Sequence, residues 1–353
     1  MKKEFHYCAI RVIAEKAGFS PSDAQIIAYA SQYVDDAVEH KEMTIKGIPK
    51  SINYVRVNQN KFDPTCTAHK GLYLFASYKK ESQLKVYIPF HFVPNQKYSS
   101  NGSYNYLVKP NGSLALELIN DALQLIKANN QDDELKKRYL IKLGIALHTY
   151  ADTWAHQEFS GRRSSNDNDI EKVRLIKNGK EIKQDIFTTM TGFIPDIGHA
   201  EAQNYPDETH LKWSFVKSTS GKQIIRDNTE IFLDAAEQIF NLLSQFHNNQ
   251  NQFKTIRSKL EKCFKVEHRN YKDNKMEYIK EFPTIFNNPN EYDELEWRNE
   301  ALKNGSTNFL GFDIGDYLNQ NYNFNGDLKW FYFHWEAWEQ RRKIVNLIKQ
   351  DLL

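Results

Sequence analysis

Residues 144–161 read Gly-Ile-Ala-Leu-His-Thr-Tyr-Ala-Asp-Thr-Trp-Ala-His-Gln-Glu-Phe-Ser-Gly, within a helical segment that the sequence pattern places at 132–159. Leu140, Leu143, Leu147 and Ala151 recur there at helical spacing, and His148, Asp152 and His156 recur every four residues near the same side. An α-helix turns once in 3.6 residues, so each step of four advances a side chain by only about 40°, and the three polar groups share an arc of about 80°. The stripe borders the apolar face, where a polar group must find partners. Imidazole and carboxylate are common donors for zinc and other first-row metals, and a carboxylate between two imidazoles can bridge two ions. The segment predicts a core helix of a mainly α fold and half of a metal site.

Working outward, residues 5–17 read as a helix closed by Gly18. Ser20-Pro21-Ser22-Asp23 is a strong helix start, with serine as N-cap and proline first, and the apolar period then runs to about residue 40. Further helices are expected at 113–129, 228–247, 253–265, 290–303 and 327–352. Between 44 and 112 the helical period fades, and Tyr73-Leu74-Phe75 and Leu84-Lys85-Val86-Tyr87-Ile88 suggest short strands or ordered loops around Pro89 and Pro94. Residues 162–225 are polar and interrupted by Pro195 and Pro206, which predicts an irregular excursion over the surface or the site. With no internal repeat, the economical reading is one mainly helical metal-binding domain over 1–353, a multi-helix bundle with irregular regions at 44–112 and 162–225.

Composition sets bounds on partners. The chain has 353 residues, with 47 basic against 45 acidic side chains, so its net charge of +2 gives no global argument for nucleic acid or an anionic membrane. Cys8, Cys66 and Cys263 form no CxxC pair, which argues against a disulfide scaffold or thiolate finger and favours a reducing cytosol. Glu4, His6, Arg11 and Glu15 break up the N-terminal segment, so it does not read as a signal peptide, and no long apolar run suggests stable membrane insertion. A cytoplasmic location is expected, with export by a leaderless route as the other option. The Asn-Gly-Ser triplets at 101–103 and 111–113 read as turns.

Other donors are available to complete the site. His6 stands at the start of the first helix. Asp35 and Asp36 are adjacent on the second, about 100° apart, so one can meet a metal while the other orients a histidine or serves as general base. His91 lies between Phe90 and Phe92, and period-two alternation would turn it away from both rings. His69 competes with it from a more polar setting. His199 precedes the Tyr205-Pro206-Asp207 turn. His40, His210, His247 and His268 have polar surroundings and read as solvated, and the aromatic last helix keeps His334 and Glu336 outside the site.

The set FHY near the N-terminus, SQYVDDA at 31–37, FHF at 90–92, GIALHTYADTWAHQEFSG at 144–161 and GHA at 198–200 resembles an uncharacterised bacterial family known only as a domain of unknown function. More distantly, the order of donors is similar to the superfamily of zinc-dependent phospholipases C and single-strand nucleases, helical phosphodiesterases with three zinc ions. That resemblance implies His6 as the early histidine, Asp35 or Asp36 as the aspartate, and His91 or His69 as the next histidine. His148 and Asp152 would match its H-x3-D helix with Asp152 bridging, followed by His156 and then His199. Three departures stand out. The last acid would fall at 203, which is Gln203, leaving Glu201 or Asp207 to substitute or the third metal absent. The superfamily uses the N-terminal amine of a Trp exposed by leader cleavage, and the sequence offers neither. His156 also follows Asp152 more closely than usual.

The function expected is metal-dependent hydrolysis of a phosphodiester, by a phospholipase C-like enzyme with two or three zinc ions or another divalent transition metal. Two ions about 3.5–4 Å apart would bind phosphoryl oxygens and lower the pKa of a bound water toward 7. Asp152 would bridge, and Asp35 or Asp36 would complete a shell or act as general base. The substrate stays open between phospholipid and single-stranded nucleic acid. The alternative is a non-catalytic protein whose metal clamps helices together.

Overall fold

The computed structural model describes residues 1–52, 57–58, 60–69, 79–98, 104–182, 197–266, 281–286, 292–303 and 321–348. From the N-terminus, a π-helical turn, Glu4–Ala9, runs into α1 (Ile10–Ala17), followed by α2 (Pro21–Asp36). Strands β1 (Met43–Lys46), β2 (Val57–Asn58) and β3 (Lys61–Phe62) lead to a short α3 (Lys80–Ser82), which widens into a second π-helical stretch, Gln83–His91. Next come α4 (Ser113–Ala128), α5 (Asp133–Ala155), α6 (Ser165–Asn168), β4 (Ile170–Lys177), β5 (Lys180–Ile182), β6 (Lys212–Lys217) and β7 (Gln223–Asp227). The chain continues through α7 (Asn228–Phe246), α8 (Lys254–Phe264), α9 (Glu281–Phe286), α10 (Glu296–Ala301), β8 (Leu302–Lys303), β9 (Asn321–Phe324) and α11 (Lys329–Leu347).

The fold is mainly α, organised around α5. Asp132 caps that helix by accepting from the Leu135 N–H at 2.9 Å, and Asp133 and Glu134 complement its dipole in the first turn. From Leu143 to Ala155 every residue is buried, as expected of a helix surrounded on all sides. α2, α4, α7 and α11 pack around it. The α2 contact is unusually close at Gly144, where a Cβ would stand 2.4 Å from the Ile27 carbonyl oxygen and 2.6 Å from Ala30 Cβ. That approach brings the C-terminal turn of α2 to the polar stripe of α5.

The helix starts expected from sequence are present. Ser20 Oγ accepts from the Asp23 N–H at 3.1 Å, with Pro21 at the first position, although α2 ends at Asp36 rather than near 40. Gly18 closes α1 at φ 124°.

Two of the irregular regions need correction. Residues 162–225 are not simply an excursion, because they supply most of a four-stranded antiparallel sheet in the order β5-β4-β6-β7. Its β4–β5 turn is Asn178-Gly179, with φ of 51° and 73°, the conformation a two-residue hairpin prefers. Trp213 and Phe215 of this sheet pack with Phe92 and Phe159 in a second, smaller core. The Leu84–Ile88 run is π-helical rather than extended. In the other sheet, ordered β2-β3-β1-β9-β8, β1 pairs in parallel with β9 far along the chain (Thr44↔Asn321, Ile45↔Tyr322). Tyr73-Leu74-Phe75, Pro195 and His268 lie outside the described residues. Among the described residues no helix is long and apolar enough to cross a membrane.

Candidate metal centre

Imidazoles, carboxylates and an amine converge beside the C-terminal half of α5, carried by several separate parts of the chain. His6 stands on the first π-helical turn, Asp35 in the last turn of α2, and His91 ends the second π-helical stretch. The wider turn of a π-helix, found often at functional sites, re-aims both histidines from where an α-helix would leave them. His148 and Asp152 lie on α5 itself, while His156 is its C-cap. His199 precedes one short 3-10 turn and Asp207 closes the next.

Four of these histidines share one hydrogen-bond pattern. His148 Nδ1 donates to the Ser31 carbonyl at 2.8 Å, His91 Nε2 to that of Thr67 at 3.0 Å, His156 Nδ1 to that of His91 at 2.7 Å, and His199 Nδ1 to that of Gln203 at 2.8 Å. A carbonyl only accepts, so these partners place the proton on the anchored nitrogen and leave the opposite one a bare lone pair. An anchored, pre-aimed imidazole of this kind is the usual form of a metal-ligating histidine.

The bare nitrogens face other acceptors. His148 Nε2 lies 3.2 Å from His91 Nδ1 and 3.3 Å from Asp152 Oδ2. His91 Nδ1 is itself 3.2 Å from Asp152 Oδ2. His156 Nε2 and His199 Nε2 approach Asp207 at 3.2 Å and 3.4 Å. Lone pairs converging this closely in a dry setting repel one another unless a cation, proton or metal, stands between them.

The distances sort the donors into three sets. Asp152 Oδ2 faces His91 and His148, with Asp35 Oδ1 3.7 Å from His148 Nε2. Asp152 Oδ1 faces His6 Nε2 at 3.1 Å and the Met1 amine at 2.7 Å. His156, His199 and Asp207 form the third set, joined to the second because the amine also lies 3.0 Å from Asp207. His6 additionally stacks on His148 with ring centroids 3.8 Å apart.

Electrostatics point the same way. Burial alone would raise Asp152 and Asp207, but the adjacent amine and histidines hold both carboxyls well below the usual range. Burial pushes His6 well below an ordinary histidine and takes His199 down to about 4, so both are neutral near pH 7. His91 is raised, because Asp152 and Asp35 outweigh its burial. Burial would lower the Met1 amine, yet Asp152, Asp207 and Asp35 lift it to about 11. Among the described residues no lysine or arginine forms an ion pair with these three carboxylates, so their charge is offset by the Met1 ammonium, by His91 and, from beyond ion-pair distance, by Arg226 acting on Asp207. Carboxylates buried this closely together need cations beside them.

A cavity of about 230 Å³ opens onto the cluster, lined by Asp35, His91, His199 and Asp207 together with Val86, Tyr87 and Phe92, the last stacked on His156 at 4.5 Å between ring centroids. Residues 1–348 match the family model described as Family of unknown function (DUF6765). The chain belongs to that family. No curated protein and no solved structure matches it.

For this DUF6765 chain the structure brings together His6, Asp35, His91, His148, Asp152, His156 and His199. Asp36 is turned elsewhere, its carboxylate accepting from Tyr292 Oη at 2.7 Å and Gln32 Nε2 at 3.0 Å. His69 lines the cavity but belongs to none of the three donor sets, and its Nδ1 is 3.9 Å from Cys66 Sγ. The acid beside His199 is Asp207, whereas Glu201 accepts from the Ile170 N–H at 2.8 Å. His334 accepts from the Thr65 N–H, and Glu336 pairs with Lys142 at 2.8 Å and with Arg138, both away from the centre. The Met1 amine was missed by sequence reasoning, which looked only for an exposed tryptophan. Its one sequence signal is its closeness to His6, five residues away.

Proposed function

We propose that this chain is a metal-dependent phosphodiester hydrolase, holding two or three zinc-type ions in the sets defined above. The observation that carries the reading is His148 Nε2 standing 3.2 Å from His91 Nδ1 while the other nitrogen of each ring is committed to a carbonyl. Nitrogen and oxygen donors suit zinc, and the three cysteines are free and buried among other side chains. His91, His148, Asp35 and Asp152 would hold one ion, His6, Asp152 and the Met1 amine a second, and His156, His199 and Asp207 a third. Such ions would supply Lewis-acid activation of a phosphoryl oxygen and an ionisable water near neutral pH.

The chain's own residues supply the rest. Asp152 offers one carboxylate oxygen to each of two sets and so fixes their spacing. Asp35 is the most exposed of the three carboxylates, at 31%, and burial raises its pKa, which suits a base that takes a proton from water at the cavity mouth. Val86, Tyr87 and Phe92 add apolar lining to the same cavity, which limits water there. Partial exposure of Asp35, His91, His199 and Asp207 favours turnover over a purely structural clamp, which would be closed by protein on all sides.

The test combines anomalous scattering at the zinc, iron and manganese edges with hydrolysis of bis(4-nitrophenyl) phosphate, phosphatidylcholine vesicles and single-stranded DNA. The expected result is metal beside Asp152 and cleavage of one of these substrates, lost in Asp152→Asn with the fold intact. Metal absent from the unchelated protein would end the proposal, and full activity in Asp152→Asn would remove the catalytic role.

A further inference from the structure

The junction of β7 and α7, residues 226–229, grips the segments that bear His156 and Asp207 of the third donor set. Arg226 is 2% exposed, yet no carboxylate among the described residues pairs with it. Its guanidinium donates instead to the Trp154 carbonyl at 2.8 Å and the Gln157 carbonyl at 3.2 Å, on either side of His156. These carbonyls lie at the C-terminal end of α5, where backbone acceptors lack helical partners and a positive charge meets the helix dipole favourably, and that of Trp154 also accepts from Gln157 Nε2 at 2.9 Å.

Asn228 does the same for the other segment. Fully buried, it donates through Nδ2 to the Tyr205 carbonyl at 2.6 Å and the Glu208 carbonyl at 2.8 Å, the residues that bracket Asp207. Its Oδ1 accepts from Trp213 Nε1 at 3.0 Å, so both amide donors and one of its two acceptor positions are committed. Thr229 Oγ1 adds a bond to the Thr209 carbonyl at 2.9 Å, just beyond. Asp207 and Glu158 favour the charge of the buried guanidinium from beyond ion-pair distance, yet a helix start needs neither this arginine nor an amide shared by three partners. What the four-residue link does is hold His156 and Asp207 at a fixed separation.

We infer that Arg226, Asn228 and Thr229 are positioning residues for the His156–His199–Asp207 subsite, acting through backbone carbonyls without touching a metal. This rests on the metal reading above. It predicts that the third subsite can be weakened while the two organised by Asp152 remain.

Asn228→Asp keeps the oxygen that accepts from Trp213 and removes both donors, and Thr229→Val, a milder change, removes one bond of the same brace. The measurement is zinc content after dialysis against a zinc buffer, with stepwise affinities from competition with a chromophoric chelator and folding followed by circular dichroism. Outer partners of metal sites typically alter affinity about 10- to 100-fold. The expected result is a loss of that size confined to one ion in Asn228→Asp, with a smaller loss of the same ion in Thr229→Val. If Asn228→Asp does not fold, Thr229→Val alone decides. Unchanged affinities in a folded variant, whatever its melting temperature, would overturn the inference while leaving the metal reading intact. A wild-type protein that binds no metal would overturn both.

Discussion

At the residue scale, adjacent Asp35 and Asp36 stand one step apart on α2 and meet entirely different partners. Their 100° separation meant that only one could face a given ion. Which one depends on helix phase, set by partners remote in sequence: Tyr292 claims Asp36, and His148 turns to Asp35. The same holds for His91 over His69, since the choice rests on Thr67 offering its carbonyl to His91 Nε2. The two aspartates should respond differently to substitution. Asp36→Ala should leave metal content unchanged while lowering stability by about 1–3 kcal/mol, the range for losing a charged hydrogen-bond partner at a partly buried phenol. Asp35→Ala should retain the fold but lose phosphodiester turnover. Metal analysis with urea unfolding checks the first, and steady-state kinetics the second. A fall in metal content with Asp36→Ala would mean that Asp36 acts on the cluster.

At the element scale, helices with caps and a sustained period were readable, and elements that break their own period were not. Strand β4 has a register shift between Glu171 and Arg174, with Lys172 at φ 52°, so alternation of burial is lost within it. Asn178-Gly179, between Lys177 and Lys180, is a hairpin signal that the reading of 162–225 as irregular did not use. The π-helical stretch before His91 hides similarly, because neither period two nor period 3.6 describes it. The closest helix pair makes a prediction of its own. Gly144→Ala places a methyl group against Ile27 and Ala30, whose backbone and side chain must retreat. Overpacking of this kind costs about 1–3 kcal/mol, and α2 carries Asp35 and the Ser31 carbonyl with it. The variant should show a lower urea midpoint at unchanged m, together with weaker binding of the ion at His148. Wild-type values for both would show that α2 moves aside freely.

At the scale of the whole molecule, the cluster ties parts of the chain from Met1 to Asp207 to one buried point, so stability should depend on its protons and ions together. In the metal-free protein His199 titrates near 4 and His6 below an ordinary histidine, against 6.5 unfolded. Between those values the unfolded chain binds more protons, so stability should rise with pH up to about 6.5. The Met1 amine acts in the opposite sense. Its pKa rises from 8.0 to about 11 on folding, so its contribution is complete below 8 and lost as pH climbs towards 11. His91, held above 6.5 by Asp152 and Asp35, acts in the same sense as the amine, its contribution complete below 6.5 and lost as pH rises beyond. Chelated protein should therefore be most stable near pH 6.5, with an acid and an alkaline limb visible in melting temperature. Residues added ahead of Met1 would turn its amine into an uncharged amide, and the part of the alkaline limb between about pH 8 and 11 should disappear. Saturating zinc should raise the melting temperature in proportion to RT ln(1 + [L]/Kd) and lose that effect on acidification, because protons and metal compete for the same nitrogens. A melting temperature indifferent to zinc across this range would show that the convergent lone pairs are settled by protons alone.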